Sequence, residues 1–383
     1  MRPLVLLQCR QQTLRCAVPL ARGHAAYRIN TNVLDKALQI ADLREAELLA
    51  VLPRVREWTP QVETLLTQRA DLAKFSRRGL CDALVLATSL DPSPAFVTFM
   101  VTLLRIELPR QLDELEARDI LGLFKALNNC RLTVENAEFA ELLKLLLPVA
   151  AKLACTMDGM TLSNLIYWSY RFKVVRNVHV SSDDYRALFM ALTSRMHELK
   201  SIHWLRAIST DSLKAVDLGH SFFDAYKRAV QPVLGKMSGH DLVLMVRWLA
   251  LMRAGTTYLD ELFFLAWAEA LIPKMHEPKT DSLAGLLLSL SILRLDVNAI
   301  GPELFKVWAA EMERRTDLCD DKKMAKVLRG LRELNVTLEV VGGSLGPHLA
   351  KVFVGSKLKG HLYKPALEAL GAKPEPKVAA AKT

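Results

Sequence analysis

Glycine and proline are scarce, 17 and 16 in 383 residues, and aromatic side chains make up only 7% of the chain. That composition, with 51% apolar and 24% charged residues, excludes collagen-like, low-complexity and disordered chains. Paired cysteines are lacking. Cys9 and Cys16 lie near the amino terminus, while Cys81, Cys130, Cys155 and Cys319 are far apart, so neither a disulfide framework nor a zinc site follows. The pattern fits a reducing compartment in which thiols are buried as small hydrophobes. Long apolar runs are missing too. Pro92 to Leu104 and Ser282 to Leu293 carry no charge but span about a dozen residues each, against about 20 for a membrane-crossing helix. Enzyme signatures are also absent. Val341-Gly342-Gly343-Ser344-Leu345-Gly346 has no Gly-Lys-Ser/Thr ending and follows no strand pattern, so it reads as a helix connection and not as a phosphate loop. His197 and His203 are six apart with no metal motif, and Gly239-His240-Asp241 reads as a helix start with Asp241 as its cap. No catalytic residue, metal site or cofactor is expected.

Acidic residues are absent from the first 34 positions, which hold Arg2, Arg10, Arg15, Arg22 and Arg28. An arginine-rich, acid-free amino terminus matches a mitochondrial transit peptide, here residues 1–30, with cleavage expected after Arg22. Leu4 to Leu7 is too short for the apolar core of a secretory signal; a basic first helix is the plainer alternative. The expected location is the mitochondrial matrix. Of the formal charge of +10, half sits in this segment, leaving a modest basic bias in the remainder.

What the chain has in abundance is apolar residues at helical spacing, so the expected fold class is all-α. Aligned on Leu80, Ile120, Leu162, Ile202, Leu242, Leu283 and Met324, the helical segments recur about every 41 residues. That period belongs to a helix pair, and it predicts an α-solenoid of about seven degenerate repeats, each a helix A followed by a helix B. Apolar residues follow five of the anchors at four, seven and ten positions, as in Val246, Leu249 and Met252 or Leu287, Leu290 and Leu293, forming one face of a three-turn helix. Asp119, Thr161, Ser201, Asp241 and Ser282 precede their anchors and mark helix starts. Pro109, Pro148, Pro232 and Pro273 fall late in the B segments and are expected to kink or stop them. The B helices include 183–198, 220–230, 259–271 and 302–314. The fourth A helix is the weak member, because Arg206, Ser209 and Ser212 occupy its apolar positions. An irregular helical bundle is the competing reading. Residues 31–75 form a helical cap outside the repeat, 76–354 the array and 355–383 a basic tail whose last dozen residues are expected to be disordered.

A second feature repeats with the helices. Eleven positions after the anchor stand Arg131, Lys173, Arg253 and Arg294; five positions after it stand Lys125, Arg247 and Arg329. Equivalent positions of a solenoid line up, so these seven cations form a candidate ridge that tracks phosphates. The same cations at helix carboxyl ends also complement the helix dipole without any ligand. Tyr167, Trp168, Tyr170, Trp204, Trp248, Trp267 and Trp308 are candidates for base stacking, or for burial in the core.

The leader, the 41-residue helix pairs, and segments such as Asp281-Ser-Leu-Ala-Gly-Leu-Leu-Leu-Ser-Leu-Ser-Ile-Leu-Arg-Leu and Asp241-Leu-Val-Leu-Met-Val-Arg-Trp-Leu-Ala-Leu-Met-Arg resemble the helical repeats of organellar RNA-metabolism proteins. These include the FAST-kinase-like, octotricopeptide and heptatricopeptide families. The resemblance covers residues 76–354 and is one of pattern, not of an invariant motif. It implies a role in mitochondrial transcript processing, editing, stability or translation within a ribonucleoprotein assembly. Many relatives end in a RAP domain, for which too few residues follow the last repeat here. Two function classes remain in view: a non-catalytic RNA-binding or ribonucleoprotein subunit, and a protein-only scaffold or assembly factor in a mitoribosome or other matrix complex. A matrix enzyme built from distant residues is the third.

Overall fold

The structure, a computed structural model, describes residues from Val101 to Leu349 except 103, 107, 111, 130–135, 177–180, 201, 316–317, 342–344, 346 and 348. The expected leader, cap, first A helix and basic tail, and Arg131, lie outside the described residues. The fold is all-α, and among the described residues there is no strand.

The helices are α1 (Ala117–Asn129), α2 (Asn136–Leu153), α3 (Gly159–Arg176), α4 (Ser182–Arg195), α5 (His203–Arg206), α6 (Ala215–Val230), α7 (Gly239–Met252), α8 (Glu261–Leu271), α9 (Thr280–Ala284), α10 (Leu286–Leu293), α11 (Val297–Ile300), α12 (Pro302–Arg314), α13 (Asp321–Glu333) and α14 (Leu338–Val341). The A-type helices α1, α3, α5, α7, α10 and α13 each pack on the next in chain order. Among the B-type helices, α2 packs on α4 and α4 on α6; α6 and α8 share the 3-10 turn Gln231–Lys236, and α8 touches α12. Of the anchors that set the period, Ile120, Leu162, Leu242, Leu283 and Met324 are fully buried, whereas Ile202, expected on the core face, is exposed; Leu80 lies outside the described residues.

The 41-residue interval reappears in bonds that the spacing of apolar residues does not specify. Trp267 Nε1 donates to the Leu242 carbonyl and Trp308 Nε1 to the Leu283 carbonyl, both at 3.0 Å. Each indole is fully buried and ties a B helix to the start of its own A helix. Arg253, Arg294 and Asn335 are the non-glycine residues with left-handed backbone among those described, at φ 58°, 60° and 51°. Each closes an A helix in the same way: the amides of Ala254, Leu295 and Val336 reach back to the carbonyls of Leu249, Leu290 and Leu331 at 2.9, 2.9 and 3.0 Å.

Three expectations need correction. Asp119, Thr161, Asp241 and Ser282 stand in the first turn inside their helices, and Ser201 lies outside the described residues. The caps are Asp158, which accepts from the Thr161 amide at 2.7 Å, and Ser238, which accepts from the Asp241 amide at 3.1 Å. Asp119 performs the reciprocal half of a capping box, accepting from the Glu116 amide at 3.0 Å. A residue that bonds within the first turn looks alike in sequence at either end of the box. Pro232 and Pro273 do end α6 and α8, in 3-10 turns, but Pro148 sits inside α2, which runs on to Leu153. A proline removes just one helical amide, and the remaining bonds of an 18-residue helix carry it through. Burial of the cysteines also fails in part: Cys155 is exposed, while Cys319 is half-buried and burial raises its thiol pKa.

The weak fourth A helix is confirmed as a departure. Only one turn, α5, forms before residues 207–214 run as turns and bends. Ser209 and Thr210, at positions where neighbouring units place helix, are buried, and the Ser209 hydroxyl donates to the Leu205 carbonyl at 2.6 Å. A hydroxyl satisfied locally competes with the helical ladder, which accounts for the early stop.

Candidate nucleic-acid interface

In the turns from a B helix to the next unit, Lys274 and Arg315 are committed to carbonyls, whereas Lys200, Lys236 and Lys279 are exposed. Lys274 Nζ donates to the carbonyls of Gly235 and Met237, both at 2.6 Å. One period later, Arg315, itself buried, donates to the carbonyls of His276 and Pro278 and pairs with Glu311. Acids in these turns serve the same joints. Glu198 accepts from the Gly159 amide at 2.7 Å and Glu277 from the Gly239 amide at 2.6 Å. That amide, followed by Arg195, holds the Glu198 carboxyl below the ordinary carboxylate range. These charges bond one unit to the next.

The turns from an A helix to its B helix differ in their left-handed backbone. Arg253 and Arg294 are exposed, and among the described residues neither makes a hydrogen bond or ion pair through its side chain. A left-handed residue at this closing position is usually glycine or asparagine, as Asn335 is, because an L side chain there costs on the order of 1 kcal/mol. Arginine therefore stands twice where the backbone disfavours it. The two turns lie side by side: a Cβ added to Gly255 would sit 2.6 Å from the Leu293 carbonyl oxygen, so only glycine allows this approach.

The remaining ridge candidates divide. Lys125 and Arg247 are exposed on α1 and α7. Arg329 is exposed but pairs with Glu333 at 2.7 Å, so its charge is partly compensated. Lys173 lies within α3, and Arg131 lies outside the described residues. The structure thus brings Arg253 and Arg294 to adjacent turns.

The aromatic candidates divide in the same way. Trp267 and Trp308 are core residues, whereas Tyr167, Trp168, Tyr170, Trp204 and Trp248 are half-buried. Two guanidinium groups lie near the Tyr167 ring, Arg171 Cζ at 5.9 Å and Arg206 Cζ at 5.3 Å from its centroid, a cation–π geometry. Arg206 also donates to Asn164 Oδ1, which fixes it beside the ring. One turn along α3, Tyr170 meets Trp248 of α7 edge to face, with centroids 4.7 Å apart at 89°. Burial, then the Asp211 carboxylate, raise the Tyr170 phenol above its ordinary value, and nearby Arg247 opposes them. Sequence reading named these rings but not their grouping with Arg171 and Arg206. The signal was the polar break in the fourth A helix.

Among the described residues no group of three or more His, Cys, Asp or Glu side chains could hold a metal ion, and no helix is long and apolar enough to cross a membrane. Neither protein-family models nor curated protein sequences give a match to this chain.

Proposed function

We propose that the chain is an α-solenoid of about seven helix pairs that binds RNA through the turns closing its A helices. In this reading it is a non-catalytic RNA-binding or ribonucleoprotein subunit of the mitochondrial matrix, acting in transcript processing, editing, stability or translation. The observation that carries it is the pair of exposed arginines, Arg253 and Arg294, held in left-handed backbone at equivalent turns. Glycine would close the helix with less strain; the guanidinium is what arginine adds. The transit-like, acid-free leader supports the matrix location.

The test is the salt dependence of binding to single-stranded RNA by the full chain and by an Arg253→Gly/Arg294→Gly variant. Glycine keeps the turn, so folding is preserved while two charges leave. Each phosphate contact on a single strand contributes about 0.7 to the slope of log K against log salt, so the double variant should lose about 1.4 of slope. An unchanged slope removes the turns from the interface.

A protein-only scaffold is the second reading, favoured by Leu262 and Leu265, which are exposed one turn apart on α8. Crosslinking in isolated mitochondria followed by denaturing purification separates the two. Attached RNA supports the first reading; co-purifying proteins with no attached RNA support the second.

A further inference from the structure

We propose that the break at α5 makes a stacking platform for unpaired bases of single-stranded RNA, formed by Tyr167, Tyr170 and Trp248 with Arg171, Arg206 and Arg247. The inference rests on the RNA-binding reading above and adds a location and a class of RNA to it.

The argument begins with the missing helix. In a full-length unit the A helix separates its two neighbours. Here α5 ends after one turn, and Tyr170 of α3 contacts Trp248 of α7, two units further on. The six side chains form one connected group. Arg171 and Arg206 lie near the Tyr167 ring, Tyr167 lies one turn from Tyr170, Tyr170 touches Trp248, and Arg247 is close enough to act on the Tyr170 phenol.

Exposure separates these rings from the core. The B-helix aromatics Trp267, Trp308, Tyr185 and Tyr226 have no exposed surface, while Tyr167, Tyr170 and Trp248, on A helices, are all partly open to solvent. Aromatic rings and guanidinium planes in one partly exposed group supply what an unpaired nucleotide needs: π-faces for the base and charge-assisted donors for its phosphate. Asp211 and Arg247 act on the Tyr170 phenol in opposite senses, and Arg171 and Arg206 add two further cations to the group. In a duplex the base faces are already stacked, so the platform selects single strands.

The test uses the full chain and a short oligouridylate carrying a photoreactive thiouridine, alone and annealed to its complement. Single-stranded probe should crosslink to peptides containing Tyr167, Tyr170 or Trp248, and the duplex should not. Replacing Tyr167 or Trp248 by Leu should weaken single-strand binding about tenfold each without changing the salt slope, because stacking releases no counterions. The corresponding Phe variants retain a π-face and should bind within about threefold of the parent. Phe variants that lose as much as Leu variants, or crosslinks that map elsewhere while binding persists with its ordinary salt slope, overturn the platform and leave the RNA-binding reading intact. Absence of any binding by the full chain at low salt overturns both.

Discussion

The units after Ser238 and the short unit around α5 are built on one period yet behave differently. Trp267 and Trp308 stand at corresponding points of α8 and α12, and each bonds the first turn of its own A helix. Tyr226, one period before Trp267, is as deeply buried in α6, but its hydroxyl has no hydrogen-bond partner among the described residues. The A helix that such a bond would reach is reduced to one turn. Tyr185 of α4, which faces the full-length α3, donates to the Ile166 carbonyl at 3.2 Å. A helix pair can therefore give up most of one helix if its neighbours meet across the gap, and Tyr226 is left with an orphaned hydroxyl.

The largest break in this comparison comes from the regular side. Trp308→Ala should lower unfolding free energy by about 4 kcal/mol in urea titration, through the cavity and the unpaired Leu283 carbonyl. A loss below about 1 kcal/mol would mean that the indole is not holding the pair together.

The sharpest contrast is between the two tyrosines. Tyr226→Phe removes a buried hydroxyl with no partner and should raise stability by about 1 kcal/mol, whereas Tyr185→Phe removes a bonded one and should lower it by about as much. Equal and opposite shifts in the urea midpoint would establish the difference between the units. Two losses would show that Tyr226 finds a partner in solution.

At the closing turns, Arg253→Gly and Arg294→Gly should each raise stability by about 0.5 kcal/mol by relieving left-handed strain, while Asn335→Gly should leave it within a few tenths. Thermal melts of the three variants decide this. Destabilisation by either arginine substitution would mean that helix-dipole attraction outweighs the strain, and that the arginines belong to the fold.

The smallest effect is a pH dependence in the short unit. His203 lies 2.9 Å from the Ser163 hydroxyl, and burial, then the Arg206 charge, lower its pKa from the ordinary 6.5, with Asp158 opposing. A histidine lowered on folding binds more protons when unfolded. Its contribution is complete above the ordinary value and is lost as pH falls through the folded one. His203→Gln should therefore flatten the acid side of the stability profile measured below pH 6.5.

Much of the helical layout was legible in local spacing. Pro302–Arg314 begins and ends where its apolar residues and flanking signals place it, and the polar positions Arg206, Ser209 and Ser212 marked an A helix that is cut short. The caps were less legible, because Asp119 and Asp241 bond within the first turn and look in sequence like the cap residue three positions earlier. Pro148 does not stop its helix, because proline's effect depends on how many other bonds the helix keeps. The candidate interface was legible only as residue types at a period. Lys274 and Arg315 are spent on carbonyls nearly forty residues away, and Arg253 and Arg294 are not.

The sequence by itself determined the all-α class, the interval of about 41 residues and the place where the interval falters, since each follows from which side chains recur along one helix face. The tertiary structure alone decided which cations are committed to joining units, which rings stay partly open, and that Tyr170 reaches Trp248 across a truncated helix. Those outcomes depend on contacts between helices in different units. Their geometry is set by how neighbouring surfaces pack, and no local pattern along the chain encodes it.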